Sequence, residues 1–215
     1  MPPILVGKLS KIIYPILFVC FLAIFRGIVD TKEIGVTLDP MLAALSVVFM
    51  ADTYLIEKRE QRWGIFALYA LDKKKIMMFK RVFVQFLYLL LLAAIGYFLF
   101  LIQKPSASIW ENEIKMYLEY LLAASISIFL WGTMAIIISY LFQNIWCGIG
   151  ISFIIWLLLN STFGDDLFGR YNVFSYVFRS YEQGGTDWIP GKVLGFVLAI
   201  LMMFVLLPQT MKRRK

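Results

Sequence analysis

The sequence predicts an all-α integral membrane protein with six transmembrane helices and both termini cytoplasmic, and three observations predict it. The first is composition. Hydrophobic residues make up 61% of the 215-residue chain, aromatics 17% and charged residues only 16%, a balance outside the range of soluble domains. The second is a set of six apolar runs close to the roughly 20 residues that a helix needs to cross a bilayer core. The third is the distribution of Lys and Arg, which concentrates on one side of that topology.

In chain order the predicted spans are 12–29, 40–56, 82–102, 116–142, 144–162 and 190–208, all within one transmembrane domain, 1–215. Lys8 and Lys11 precede the first run, but Phe25-Arg26-Gly27 offers no small-x-small cleavage site, so this run is read as a retained anchor. The second run opens on Asp39-Pro40, which reads as an N-cap followed by proline at the first helical position. Arg26 with Asp30, and Lys115 with Glu119, stand one helical turn apart and are read as surface ion pairs. Asp52 lies near the inner end of span two and calls for a basic partner, expected from Lys58 or Arg59. In span four Ala123 and Ser127, and in span five Gly148, Gly150 and Ser152, are small residues at helix-contact spacing. The turn between those spans shrinks to about Gln143-Asn144.

Orientation follows from charge. With the N-terminus cytoplasmic, the inner segments hold Lys8, Lys11, the eight basic residues of the segment 57–81 and the terminal Lys212, Arg213, Arg214 and Lys215, fourteen of the twenty-one. This is the positive-inside pattern, and it explains the net charge of +7 without a nucleic acid. Outside, 163–189 is too long for a simple turn. Val173, Phe174, Val177, Phe178 and Tyr181 recur there at helical spacing, which predicts an amphipathic helix lying at the outer interface or dipping into it, with that face toward lipid or the neighbouring spans, read either as an aromatic belt or as a gate over a pathway.

Catalytic machinery is missing. There is no histidine, and the two cysteines, Cys20 and Cys147, sit inside apolar runs, which removes most zinc and iron chemistry. Neither G-x-x-x-x-G-K-[ST], H-E-x-x-H, G-x-S-x-G nor C-x-x-C occurs, so no site for ATP hydrolysis, proteolysis or thiol oxidation is predicted. No catalytic residue, cofactor or metal ligand is assigned.

The most informative segment is 57–81, EKREQRWGIFALYALDKKKIMMFKR. Eight basic and three acidic residues surround seven consecutive apolar ones, Ile65 to Leu71. As helix that centre is only about 10 Å long, too short to span a membrane and too apolar for water, so protein or headgroups must cover it.

Six spans with this insert after the second resemble the membrane subunit of an ATP-binding-cassette (ABC) transporter, specifically the type-two export permeases. In that family the corresponding loop reads acid-basic-acid, then glycine, a short hydrophobic helix and a basic residue. Glu57, Arg59, Glu60, Gly64 and Lys80 fit that frame, with Trp63, Phe66, Leu68 and Leu71 as apolar contacts. Asp72-Lys73-Lys74-Lys75 replaces the Pro-Val-Ser-like break of many relatives. The resemblance implies an amphipathic coupling helix docked on cytoplasmic ABC ATPase subunits, with ATP and magnesium on those partners and none on this chain. It also implies a second permease copy or a related permease, with spans one, two and five facing partner and path, so that Gly148, Gly150 and Ser152 become the close contact. The implied function is export of an amphipathic or hydrophobic cargo, such as a peptide, lipid or drug, across a cell membrane of bacterial type. Three alternatives remain at this stage: the substrate-capturing subunit of an energy-coupling-factor importer, which would lack the insert, a membrane-embedded lipid-modifying enzyme, which would need clustered acids or Ser and Lys at one depth, and a membrane anchor with no transport role.

Overall fold

A computed structural model of the chain describes residues 3–56, 68–103, 110–178 and 186–208. The described residues are helical throughout their long elements and contain no strand: α1 (Pro3–Phe25), α2 (Thr31–Met50), α3 (Leu71–Leu101), α4 (Trp110–Phe142), α5 (Ile145–Leu159), a short α6 (Thr162–Phe168) and α7 (Ile189–Leu201). A 3₁₀ turn, Gly169–Tyr171, follows α6, and α7 runs on into a π-helical turn, Met202–Leu206.

Thr31–Met50, Asp72–Leu101, Glu113–Phe142 and Ile189–Leu206 are each long and apolar enough to cross a membrane. A fifth span arises if Ile145–Leu159 and Thr162–Tyr171, which meet at 70°, are taken as one broken crossing. The apolar part of α1, Lys11–Phe25, is shorter. Among the described residues four or five helices could thus cross a membrane, where the sequence predicts six. Large apolar side chains such as Leu17, Phe21 and Ile24 on α1, and Phe83, Leu87 and Leu91 on α3, are exposed on its outside. That is the surface a helix bundle presents to acyl chains.

Several boundaries move, each for a local reason. The second helix does not begin at Asp39-Pro40. It begins nine residues earlier, where Asp30 adopts an extended conformation and its carboxylate accepts from the Lys32 amide at 3.1 Å. That makes Asp30 the N-cap. The predicted Arg26–Asp30 helical pair is therefore replaced by a tight turn between α1 and α2. Likewise α3 starts at Leu71, so Asp72 to Lys75 form its first turn, with Lys75 Nζ 3.4 Å from Asp72 Oδ1. An acid in a first helical turn complements the helix dipole, which turns the predicted polar break into a helix start. Between α4 and α5 the short turn is as predicted. Gln143 takes a left-handed φ of 53° and the Asn144 amide reaches back to the Ser139 carbonyl, a Schellman-type ending; the Asn144 side chain then caps α5 through the Trp146 amide at 2.9 Å.

α2 and α4 make the most extensive helix contact and form the centre. Both carry buried small residues: Ala43, Ala44 and Ser46 on α2, Ala51 just beyond its end, and Ala123, Ala124, Ser127 and Ala135 on α4. Without a water-driven hydrophobic force inside a membrane, close backbone approach of this kind supplies the packing. One end of the bundle holds the start of α1, the end of α2, the 143–144 turn and the end of α7. We call it the insert end, because 57–67 follows α2 there.

Candidate functional site

The connection from α5 to α7 does not stay on the surface. Ser161 caps α6 by accepting from the Gly164 amide, α6 ends at Gly169 with a φ of 49°, and the chain then turns back into the bundle. Asn172 anchors the return, donating from Nδ2 to the Leu159 carbonyl at 2.9 Å while its Oδ1 accepts from the Phe174 amide at 3.0 Å. Residues 172–176 are all buried. Phe174 lies at the tip, stacked on Trp131 of α4 at 5.6 Å and edge-on to Trp156 of α5 at 6.3 Å, in one cluster with Ala43, Ala44 and Val47 of α2. The tip therefore reaches the middle of α2.

The predicted amphipathic helix over 173–181 is corrected in its conformation, while its facing of the neighbouring helices agrees with one of the two placements expected for it. Residues 173–177 form successive turns, Phe174 is wholly buried, and Val177 and Phe178 are half-buried against the same cluster. Tyr181 lies outside the described residues. Periodicity picked out the apolar residues, but they cluster around a turned segment enclosed by helices, where burial does not need a single helical face. We refer to 172–178 as the plug. Glycine makes room for it at two places. A Cβ on Gly191 would overlap the Asn172 carbonyl, lying 2.9 Å from its carbon, and a Cβ on Gly35 would lie 2.5 Å from the Tyr176 hydroxyl.

Beside the plug is a charge pair that sequence reasoning missed. Lys192, in the first turn of α7, places Nζ 2.7 Å from Asp39 Oδ2 of α2 and 2.6 Å from Ser127 Oγ of α4. Relative exposure is 1% for the lysine side chain and 0% for the aspartate. The ammonium also stands 5.8 Å from the Phe174 ring centre and 6.0 Å from that of Tyr176, within range of cation–π attraction. Asp39 Oδ1, by contrast, is buried with no hydrogen-bond partner among the described residues. The available signal was a lysine inside a predicted span: an ionisable residue at membrane depth marks a functional site by default and requires an opposite charge. Asp39 was absorbed instead by its resemblance to a helix cap. It sits next to Pro40, which has no N–H for the Val36 carbonyl, and whose own carbonyl accepts from Trp156 Nε1 at 3.0 Å.

A second charged position lies at the insert end. Asp52 pairs with Lys11 of α1, which runs beside α2 and delivers its lysine at that depth; the predicted partners Lys58 and Arg59 lie outside the described residues. Lys11 also stands over the Phe49 ring at 5.1 Å. The pair closes one end of a cleft of about 610 Å³ between α1, α2 and α5, whose other walls include Phe18, Met41, Leu45, Val48 and Phe153. Tyr14 and Val48 are exposed at its rim, so the cleft opens sideways from the bundle.

Glu57, Arg59, Glu60, Trp63, Gly64 and Phe66 lie outside the described residues. Leu68 is 86% exposed at the insert end, Leu71 opens α3, and Lys80 is an exposed residue of α3. Gly148 and Ser152 are buried, and a Cβ on Gly148 would fall onto the Ser139 side chain and 2.9 Å from its amide nitrogen; Gly150 is exposed with open space around it. Lys115 and Glu119 form the expected surface pair at 4.0 Å.

Comparison of the chain with protein-family models, with curated proteins and with solved structures finds no match.

Proposed function

We propose that the chain is the permease subunit of an ABC exporter, forming half of a transmembrane pathway and coupling a separate ATPase to export of an amphipathic or hydrophobic cargo. The observation that carries this reading is the sideways-open cleft between α1, α2 and α5. Those helices correspond to spans one, two and five, the faces that a type-two export permease turns toward its partner and path. Its walls suit an acyl chain or an apolar peptide side chain, and the Lys11–Asp52 pair at its insert end suits a polar group. A cleft open on one side of a single chain is completed by a second copy or a related permease, and the proposed site is the bacterial cytoplasmic membrane. The order of elements supports the same reading, with a basic, apolar-centred insert after α2 at one end and a re-entrant segment before the last helix at the other.

At the insert end Leu68 is 86% exposed on a segment rich in lysine and arginine. A leucine so placed suits a groove on a cytoplasmic ATPase, where a few desolvated apolar anchors carry most of the affinity. Rocking of the helices of two paired permease chains against each other would then convert closure of the ATPase pair into opening at the opposite end.

The test is copurification. Coexpressed with its genomic neighbours and extracted in mild detergent, the chain is expected to bring an ATPase subunit with it in stoichiometric amount. Phe66→Glu with Leu68→Glu is expected to lower that recovery at least about tenfold through loss of apolar anchors, while the protein elutes as the same monodisperse species. Undiminished recovery from the double variant would remove the docking role of the insert. A parent protein that purifies with no ATPase would remove the exporter reading itself.

A further inference from the structure

We infer that the Asp39–Lys192 pair is a latch, and that residues 172–178 are a plug with two states, seated when the pair is dry and withdrawn when it is wet. The seated state is the one described above: Lys192 ties α7 to α2 through Asp39 and to α4 through Ser127, and these helices enclose the plug. Seating depends on the same helix that carries the lysine. Gly191 lies against the Asn172 backbone, and Ser175 donates from Oγ to the Trp188 carbonyl at 2.9 Å, so the plug and the first turn of α7 form one body.

A buried ion pair is an unusual fastener for such a body. Removing two charges from water costs nearly as much as their attraction returns, so the intact pair adds little net stability over an apolar contact of the same shape. Hydration recovers that cost, and Asp39 Oδ1, which has no hydrogen-bond partner among the described residues in the seated state, gains a donor when water enters. Separation in the dry state is the unfavourable step, because each charge is then alone. The pair therefore penalises half-open arrangements and favours two end states, which is what a latch requires. Both helices carrying the charges have an irregularity at which to bend: Pro40 beside Asp39, and the π-helical turn Met202–Leu206 at the far end of α7. Proline kinks and π-turns are recurrent hinge positions.

This inference does not rest on the ATPase reading, and its test needs no ATPase. In the full-length chain with Cys20 and Cys147 changed to alanine and reconstituted in nanodiscs, Ser175→Cys reports the plug and Ala93→Cys, in the buried face of α3, reports the rest of the bundle. Reaction with a membrane-impermeant maleimide is expected to be slow at both. Adding Lys192→Met, which leaves Asp39 alone, is expected to raise the rate at Ser175→Cys at least about tenfold while Ala93→Cys stays protected. Asp39→Leu with Lys192→Met is expected to return Ser175→Cys to the slow rate, since neither charge then seeks water. If Lys192→Met does not fold, Ser127→Ala takes its place, with an expected rise of a few-fold at Ser175→Cys alone. Two results would overturn the latch: an unchanged rate at Ser175→Cys when the lysine or the serine is removed, or equal rises at both reporters, which is loosening of the whole bundle.

Discussion

Phe174→Ala is expected to lower the stability of the protein by about 3–5 kcal/mol, the range for deleting a fully buried aromatic ring. The ring fills the space between Trp131 and Trp156 and is 0% exposed, so truncation leaves a cavity walled by two indoles. The half-buried Val177 and Phe178 should cost clearly less when cut to alanine. The ordering matters more than the absolute values. On an amphipathic helix at the membrane interface, Phe174, Val177 and Phe178 would share one face and contribute alike. Thermal unfolding in a fixed detergent, followed by loss of monodispersity, would decide between the two. Equal and small losses at all three positions would place Phe174 on the surface and dismantle the plug.

The turned conformation of the plug was not legible in the pattern of residues in 173–181. Apolar periodicity identifies which side chains seek burial, and here it selected Val173 and Phe174 correctly. It assumes a regular helix with one face to hide. A segment enclosed by α2, α4, α5 and α7 hides its side chains in several directions at once, so a helical face is no longer needed. The long apolar helices were legible because length and hydropathy are local properties. The charge pair was not, because its halves lie 153 residues apart and one half imitates a local signal. Asp39-Pro40 satisfies the rules for a helix start as well as Asp30 does, and only the tertiary partner explains an aspartate inside a continuous helix. Asp52 shows the same limit. Its need for a cation was evident from depth, but the choice between Lys11 and the basic insert depends on which helix lies alongside.

The arrangement also bears on what the small residues of α5 are for. Taken as a motif, Gly148, Gly150 and Ser152 read as one contact surface, yet they divide. Gly148 and Ser152 are turned into the chain and Gly150 away from it. A Cβ at position 148 would lie 2.9 Å from the Ser139 amide nitrogen, and backbone cannot step aside as a flexible side chain can. Gly148→Leu is therefore expected to force α5 away from α4 and to cost about 3 kcal/mol or more, the upper range of overpacking. Gly150→Leu, with open space around the glycine, is expected to change the stability of the isolated chain by no more than about 1 kcal/mol. Its effect belongs to a different measurement. If α5 carries the contact with a second permease chain, as the proposed pathway requires, Gly150→Leu should shift the oligomeric species seen by light scattering or native mass spectrometry in detergent while leaving the melting temperature of the chain intact. Gly148→Leu should do the reverse at first, lowering the melting temperature before assembly is touched. Loss of assembly at neither position would move the pairing surface off α5, and with it the sideways-open cleft that this helix shares with α1 and α2.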